Sequence, residues 1–186
     1  MDDKEIRQIV QNVVQHMTGS PQGGPAPVSA PVQPSAKKIV VLGADHGGFE
    51  LKASLKAEIE SLGFSVTDVG TDSKDAVDYP DFAHAVAQAV ASGKAWRGIM
   101  IDGAGIGSCI VANKVPGVRA GMAYDVSSAT NSREHNDTNV LTLGAGFIGV
   151  NLAKQIVKVW LTTDFGGDRH TKRVDKIKSV EKLYLK

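Results

Sequence analysis

The stretch IMIDGAGIGSCIVANKV, residues 99–115, ends an apolar run on Asp102 and places Gly103, Gly105 and Gly107 before a helix-like segment. A carboxylate at that turn has two uses. It can cap the following helix, or it can act on a molecule bound there. The glycines let backbone N–H groups approach a ligand, which suits a phosphate or a developing oxyanion. A plain strand-to-helix turn accounts for them equally well. The spacing does not fit a dinucleotide fingerprint, because no acidic residue closes a second strand at the expected distance. Asp45 and His46, in ADHGG, are an ionisable pair behind another apolar run. They read either as structural polar residues or as part of the same site. His135 and Asn136, in REHNDTNV, stand at a helix end or in a polar turn. Arg169 and Arg173, in GGDRHTKRV, are spaced i, i+4 and can clamp a phosphate from one helical face; a solvated basic helix end is the alternative. Cys109 reads as a small buried apolar residue, and Trp96 and Trp160 as packing or interface residues.

Alternating strand-like and helix-like segments over residues 37–186 position these groups. KKIVVLG, FSVTDVG, RGIMID, VRAGMA and NVLTLG read as strands. FELKASLKAEIESLG, YPDFAHAVAQAVASG, GSCIVANKV, DVSSATNSREHN and GVNLAKQIVKVWLTT read as helices, and a basic amphipathic segment spans 170–185. Such alternation implies a five-stranded parallel sheet with helices on both faces. Ligands of open sheets bind beyond the carboxyl ends of the strands, at a topological switch point. That rule selects the turn after every strand, GADHGG, GTDSKDAVDYP, DGAGIGS, AYD and GAGFIG, and polar and ionisable residues, Asp45, His46 and Asp102 among them, cluster in the first three.

Two further zones precede this domain. In residues 1–18, Ile6, Ile9, Val10, Val13, Val14 and Met17 form one apolar helical stripe. Residues 19–36 are rich in Pro, Gly, Ser and Ala, the composition of a flexible linker. The net charge of +1 gives no bulk reason to bind nucleic acid. One cysteine excludes an internal disulfide and fits a reducing cytosol. No apolar run is long enough to span a membrane, no secretory signal is expected, and no metal-ligand signature such as CxxC or HExxH occurs.

In order and spacing, ADHGGFELK, DYPDFA, GAGIG…ANKVPGVRAG, REHNDTNVLTLG and GGDRHTKRV resemble the type B ribose-5-phosphate isomerases, which share a superfamily with galactose-6-phosphate isomerases. The resemblance covers about residues 38–184. It implies a three-layer α/β/α Rossmann-like domain and an aldose–ketose isomerase that needs no metal or nucleotide cofactor. The sugar ring opens, and a proton then moves between C1 and C2 through an enediolate. By the same resemblance, Asp45 and His135 open the ring and contact hydroxyls, and His46, Arg169 and Arg173 hold the phosphate. Tyr79 and Asn136 position the substrate, and the amides of Gly103 to Gly107 form the anion hole. The resemblance also implies a homodimer or tetramer, with sites at the subunit interface and the C-terminal helix packed on the partner.

The chain departs from that pattern where the proton moves. Asp102 stands where many members carry a cysteine base, Ser108 where another branch carries a glutamate, and Ala104 where a Thr or Ser is usual. A desolvated carboxylate beside an anion hole can abstract a proton alpha to a carbonyl, so Asp102 is the expected base; a helix-capping role is the alternative. Three readings follow: a ribose-5-phosphate isomerase, an isomerase of another sugar phosphate, and a catalytically weak sugar-phosphate-binding protein. The N-terminal helix and linker resemble an encapsulation peptide of bacterial microcompartment cargo, docking its stripe on a shell or cargo protein. The expected location is cytoplasmic, inside such a compartment. A peripheral membrane helix fits less well, because the polar face is mixed and lacks aromatic anchors.

Overall fold

A computed structural model describes residues 38–185. The expected helix and linker at residues 1–36 lie outside the described residues. Five strands form one sheet: β1 (Ile39–Ala44), β2 (Ser65–Asp68), β3 (Arg97–Asp102), β4 (Ala120–Met122) and β5 (Val140–Gly144). Their spatial order is β2-β1-β3-β5-β4, and every pairing is parallel. The six described helices are α1 (Phe49–Ser61), α2 (Tyr79–Ala91), α3 (Ile106–Ala112), α4 (Val126–Asn136), α5 (Val150–Thr162) and α6 (Asp168–Tyr184).

The strands read as continuous apolar runs because helices cover both faces of the sheet. Alternation along β1 sends Val40, Leu42 and Ala44 into one core and Val41 into the other. The first core gathers Leu51, Leu55 and Ile59 of α1 with Ile156, Val157 and Trp160 of α5. The second gathers Ala83, Val86, Ala87 and Val90 of α2 with Ala112 of α3. The expected three layers therefore form, with α1, α4 and α5 associated on one face and α2 and α3 on the other.

Local chemistry sets the ends of the elements. Helix α2 starts with Pro80 in its first turn, where a missing N–H costs nothing. Helix α4 starts on a reciprocal cap: Asp125 accepts from the Ser128 amide at 2.7 Å, and the Ser128 hydroxyl reaches back toward the Asp125 amide. Helix α6 begins at Asp168, two residues before the expected start. The chain turns into it through two left-handed residues, Gly167 (φ 63°) and Asp168 (φ 42°).

Candidate active site

Strand β1 continues outward to β2, while β3 lies on its other side. The chain therefore reverses direction between β1 and β3, which opens a crevice at their carboxyl ends. Ala44 pairs with Ile101, so Asp45 and Asp102 leave the sheet side by side. The Asp45 amide donates to the Ile101 carbonyl at 3.2 Å. The Asp45 side chain is buried and accepts from the Gly48 amide at 3.0 Å, ahead of α1. His46 uses Nδ1 to accept from the Val77 amide at 3.2 Å, which ties the loop after β1 to the segment leading into α2. Tyr79, the first residue of α2, lies against the start of α3. A Cβ added to Gly107 would stand 2.5 Å from the Tyr79 hydroxyl. One rim therefore holds Asp45, His46, Tyr79, Asp102 and the glycine loop.

Asp102 is only 4% exposed. Its carboxylate accepts from the amides of Ala104 (2.8 Å), Gly105 and Ser108 (3.2 Å) and from the Ser108 hydroxyl. The turn that permits this uses Gly105 at φ 79°, where a Cβ would meet the Leu143 backbone at 3.0 Å. The loop is pinned from its far side as well. The Tyr124 hydroxyl donates to the Ala104 carbonyl at 2.9 Å, and the Gly146 amide to the Gly103 carbonyl at 2.9 Å. The anion cradle expected of this loop thus differs in one respect: the Gly105 amide, with those of Ala104 and Ser108, serves Asp102 itself. A carboxylate on the chain is the nearest anion these amides can reach.

The remaining candidates lie at the other edge of the sheet. Helix α4 runs back from the carboxyl end of β4 and delivers His135 and Asn136 just before β5 begins. Helix α5 returns likewise, so the segment from Thr163 to α6 sits beside them. The Gly166 amide donates to the Glu134 carbonyl at 2.9 Å. His135 contacts the Asn131 amide nitrogen through Nδ1 at 2.8 Å and stacks on His170, with ring centroids 4.1 Å apart. With Glu134, Asp164, Asp168 and Arg169, these two rings line an open cavity of about 770 Å³. Arg169 and Arg173 are exposed, and the ion pairs among the described residues do not engage them. The Asn136 carbonyl accepts from Arg119 at 3.2 Å. Strands of five or six residues put about 17–20 Å between the two edges. Within one chain, Asp45 and Asp102 therefore do not meet His135, Arg169 and Arg173.

Residues 40–177 match the Ribose/Galactose Isomerase family. The chain belongs to the ribose/galactose isomerase family. Its relatives there include ribose-5-phosphate isomerase B of Escherichia coli (strain K12), 45% identical over 144 residues, covering 77% of this chain and 97% of that one. D-erythrulose-4-phosphate isomerase of Pectobacterium atrosepticum is 41% identical over 139 residues, covering 74% and 91%. Among solved structures, ribose-5-phosphate isomerase B of Clostridium thermocellum superposes with a TM-score of 0.78 at 47% identity, covering 79% of this chain and 99% of the other. Membership of this family makes the chain a sugar-phosphate isomerase. Among the described residues, no group of three His, Cys, Asp or Glu side chains could hold a metal ion.

In this isomerase several residues that frame the site carry no motif of their own. Arg97 is buried at the start of β3 and donates to the carbonyls of Trp160 (2.6 Å), Leu161 (3.1 Å) and Thr163 (3.4 Å). Burial, and then the Arg133 charge, push its guanidinium down to about 9, which still leaves it cationic at neutral pH. Arg133 binds Asp137 at 2.9 Å and the Thr163 carbonyl at 3.3 Å. Together they fix the segment that leads to Arg169. His170 was visible in GGDRHTKRV, but nothing in that pattern marks it as the ring beneath His135. Cys109 is half-buried, and burial pushes its thiol up, as befits a packed residue. Trp160 is wholly buried in the core, and Trp96 stacks on Phe64 at 5.5 Å.

Proposed function

We propose that this sugar-phosphate isomerase interconverts ribose 5-phosphate and ribulose 5-phosphate through an enediolate, and that two copies compose each site. The observation that carries the reading is the division of the ionisable residues. Asp45, His46, Asp102 and the glycine loop occupy one edge of the sheet, and His135, Arg169 and Arg173 occupy the other. Each edge lacks what the chemistry needs. The first edge lacks the paired guanidinium groups that grip a phosphate, and the second lacks Asp102 and its glycine loop. A second copy placed edge to edge supplies both.

In the composite site, Arg169 and Arg173 from one copy, with His46 from the other, bind the phosphate by charge-assisted hydrogen bonds. Asp45 and His135 exchange the protons that open the ring: one takes the C1 hydroxyl proton and the other protonates the ring oxygen. Tyr79 and Asn136 place the open chain along the crevice. Asp102 then takes the C2 proton and returns it to C1, while the C2 hydroxyl proton passes to the C1 oxygen, so the aldose becomes the ketose with atoms and electrons balanced. The engaged carboxylate gives this step a particular form. Once Asp102 accepts the proton it is neutral, and the amides of Ala104 and Gly105 are released to the oxygen where charge now sits. One set of donors thus follows the negative charge from protein to substrate.

The second reading, an isomerase of a shorter sugar phosphate, is favoured by the relative that acts on D-erythrulose 4-phosphate. The test is turnover by the purified protein on ribose 5-phosphate, ribulose 5-phosphate, D-erythrulose 4-phosphate and galactose 6-phosphate. Preference for the pentose phosphates supports the proposal, and preference for the four-carbon substrate supports the second reading. Turnover of none leaves a sugar-phosphate-binding protein. The protein is proposed to act in the cytoplasm, as microcompartment cargo addressed by residues 1–18. Deleting residues 1–20 is expected to spare activity and abolish co-sedimentation with shells; unchanged co-sedimentation excludes the targeting role.

A further inference from the structure

We propose that His170 is a positioning residue that sets His135 and Arg169 together: its ring face supports the His135 imidazole, and its Nε2 accepts from the Arg169 guanidinium. The proposal rests on the reading of His135 and Arg169 as ring-opening and phosphate-holding groups. His170 lies in the first turn of α6 and is 8% exposed. Its ring is nearly parallel to that of His135, at an interplanar angle of 10° and a centroid distance of 4.1 Å. Its Nε2 stands 3.3 Å from Arg169 Nε. An arginine Nε–H can only donate, so His170 Nε2 presents a lone pair and the ring proton sits on Nδ1. That Nδ1 is buried and has no partner among the described residues. A buried polar atom left without a partner costs stability. The fold keeps it because the other nitrogen and the ring face are in use.

The tautomer of His135 follows from its own contact. The Asn131 amide nitrogen donates to His135 Nδ1, so the His135 proton is on Nε2, on the far side of the ring from Asn131. His135 is thereby set to donate, which is the role ring opening requires of one partner. The groups around His170 disfavour a second proton on it. His135 faces it from α4, and Arg169 and Arg173 stand beside it on α6. Glu134 opposes them, and Asp164 and Asp168 line the same cavity. Protonating His170 would turn Nε2 into a donor aimed at Arg169 and place a cationic ring against the Arg169 guanidinium and the His135 face. One event would release both the phosphate arm and the ring-opening group.

Two substitutions separate the two contacts. His170→Phe keeps a flat ring under His135 and removes the acceptor for Arg169. His170→Gln keeps an acceptor near the Nε2 position and removes the ring. At pH 8, His170→Phe is expected to raise KM and the dissociation constant of inorganic phosphate by about tenfold, with kcat changed little. His170→Gln is expected to do the reverse, lowering kcat about tenfold with phosphate binding kept. In the wild-type protein, nitrogen-15 spectra of the histidines at pH 8 should show the Nδ1–H tautomer at His170 and Nε2–H at His135. The proposal is overturned if both folded variants retain wild-type KM, kcat and phosphate binding, or if His170 carries its proton on Nε2. The spectra decide the matter if a variant fails to fold. If the wild-type protein turns over no sugar phosphate, the functional reading fails, while phosphate binding and the tautomers still test the role of His170.

Discussion

At the scale of single residues, Asp102 orders the turn before α3, one of the two uses the sequence allowed, and the proposed function gives it the other as well. Its carboxylate organises the loop by accepting from Ala104, Gly105 and Ser108, and it lies at the mouth of the β1/β3 crevice. Asp102→Asn turns one acceptor into a donor facing amide donors. It is expected to lower kcat by about 10²–10⁴, the usual worth of a general base, and to lower the thermal midpoint as well. Ser108→Ala keeps the carboxylate and deletes one hydroxyl donor, so it should retain far more activity. Gly105→Ala forces a side chain to φ 79° against the Leu143 backbone; it should cost about 1–2 kcal/mol for the left-handed conformation alone, read by urea unfolding. Gly107→Ala meets only the movable Tyr79 ring, so stability should hold while KM rises. His170 supplies a pH dependence. Burial first, then His135, Arg169 and Arg173, hold its imidazole below the ordinary value of 6.5, with Glu134 acting the other way. The unfolded chain therefore binds the proton first as pH falls. The stability that the neutral ring contributes is intact above pH 6.5 and is lost below it. The urea midpoint of the wild-type protein should fall more between pH 7 and pH 5 than that of His170→Phe.

At the scale of elements, two arginines do the work of a helix cap for α5. That helix ends with its last carbonyls buried against β3. Arg97 donates to those of Trp160 and Leu161, and Arg97 and Arg133 both donate to that of Thr163. The guanidinium of Arg97 also lies over the Trp96 ring, 4.0 Å from its centroid. Arg97→Met should cost about 1–3 kcal/mol, the price of leaving buried acceptors unpaired, measured as a shift in the urea midpoint. Because the same contacts steady the segment before Arg169, KM for the sugar phosphate should rise in the same variant. Helix α6, by contrast, exposes Ile177, Val180, Leu183 and Tyr184. In the proposed two-copy assembly, this apolar stripe is the part of α6 expected to meet the partner.

At the scale of the whole molecule, the proposed two-copy site gives the clearest prediction. Asp45→Asn and His135→Asn alter opposite edges of the sheet, so each should inactivate the isomerase by itself. Mixed after unfolding and refolding together, they should regain activity. In a random dimer each mixed pair holds one site with both edges intact, so recovery should approach about a quarter of the wild-type rate. No recovery on mixing would show that both edges of one chain serve one site, against the geometry of the sheet.

How the chain divides into strands and helices was legible in the sequence because it depends on local pattern. RGIMID is β3 as expected, and apolar runs between glycine-bounded amphipathic segments specify a parallel sheet covered on both faces. The rule that ligands sit beyond the carboxyl ends placed Asp45 and Asp102 on one edge, because parallel strands all end there; that β1 and β3 are neighbours came from the structure. Three things awaited the tertiary structure. The engagement of Asp102 by the loop amides depends on the left-handed turn at Gly105. The stack of His170 under His135 joins residues 35 positions apart in sequence, through the packing of α6 beside α4. The separation of the candidate residues between the two edges arises because helices antiparallel to the strands carry the chain back across the sheet. Periodicity reports which face of an element is buried; which residues meet through space is set by where the packed elements end.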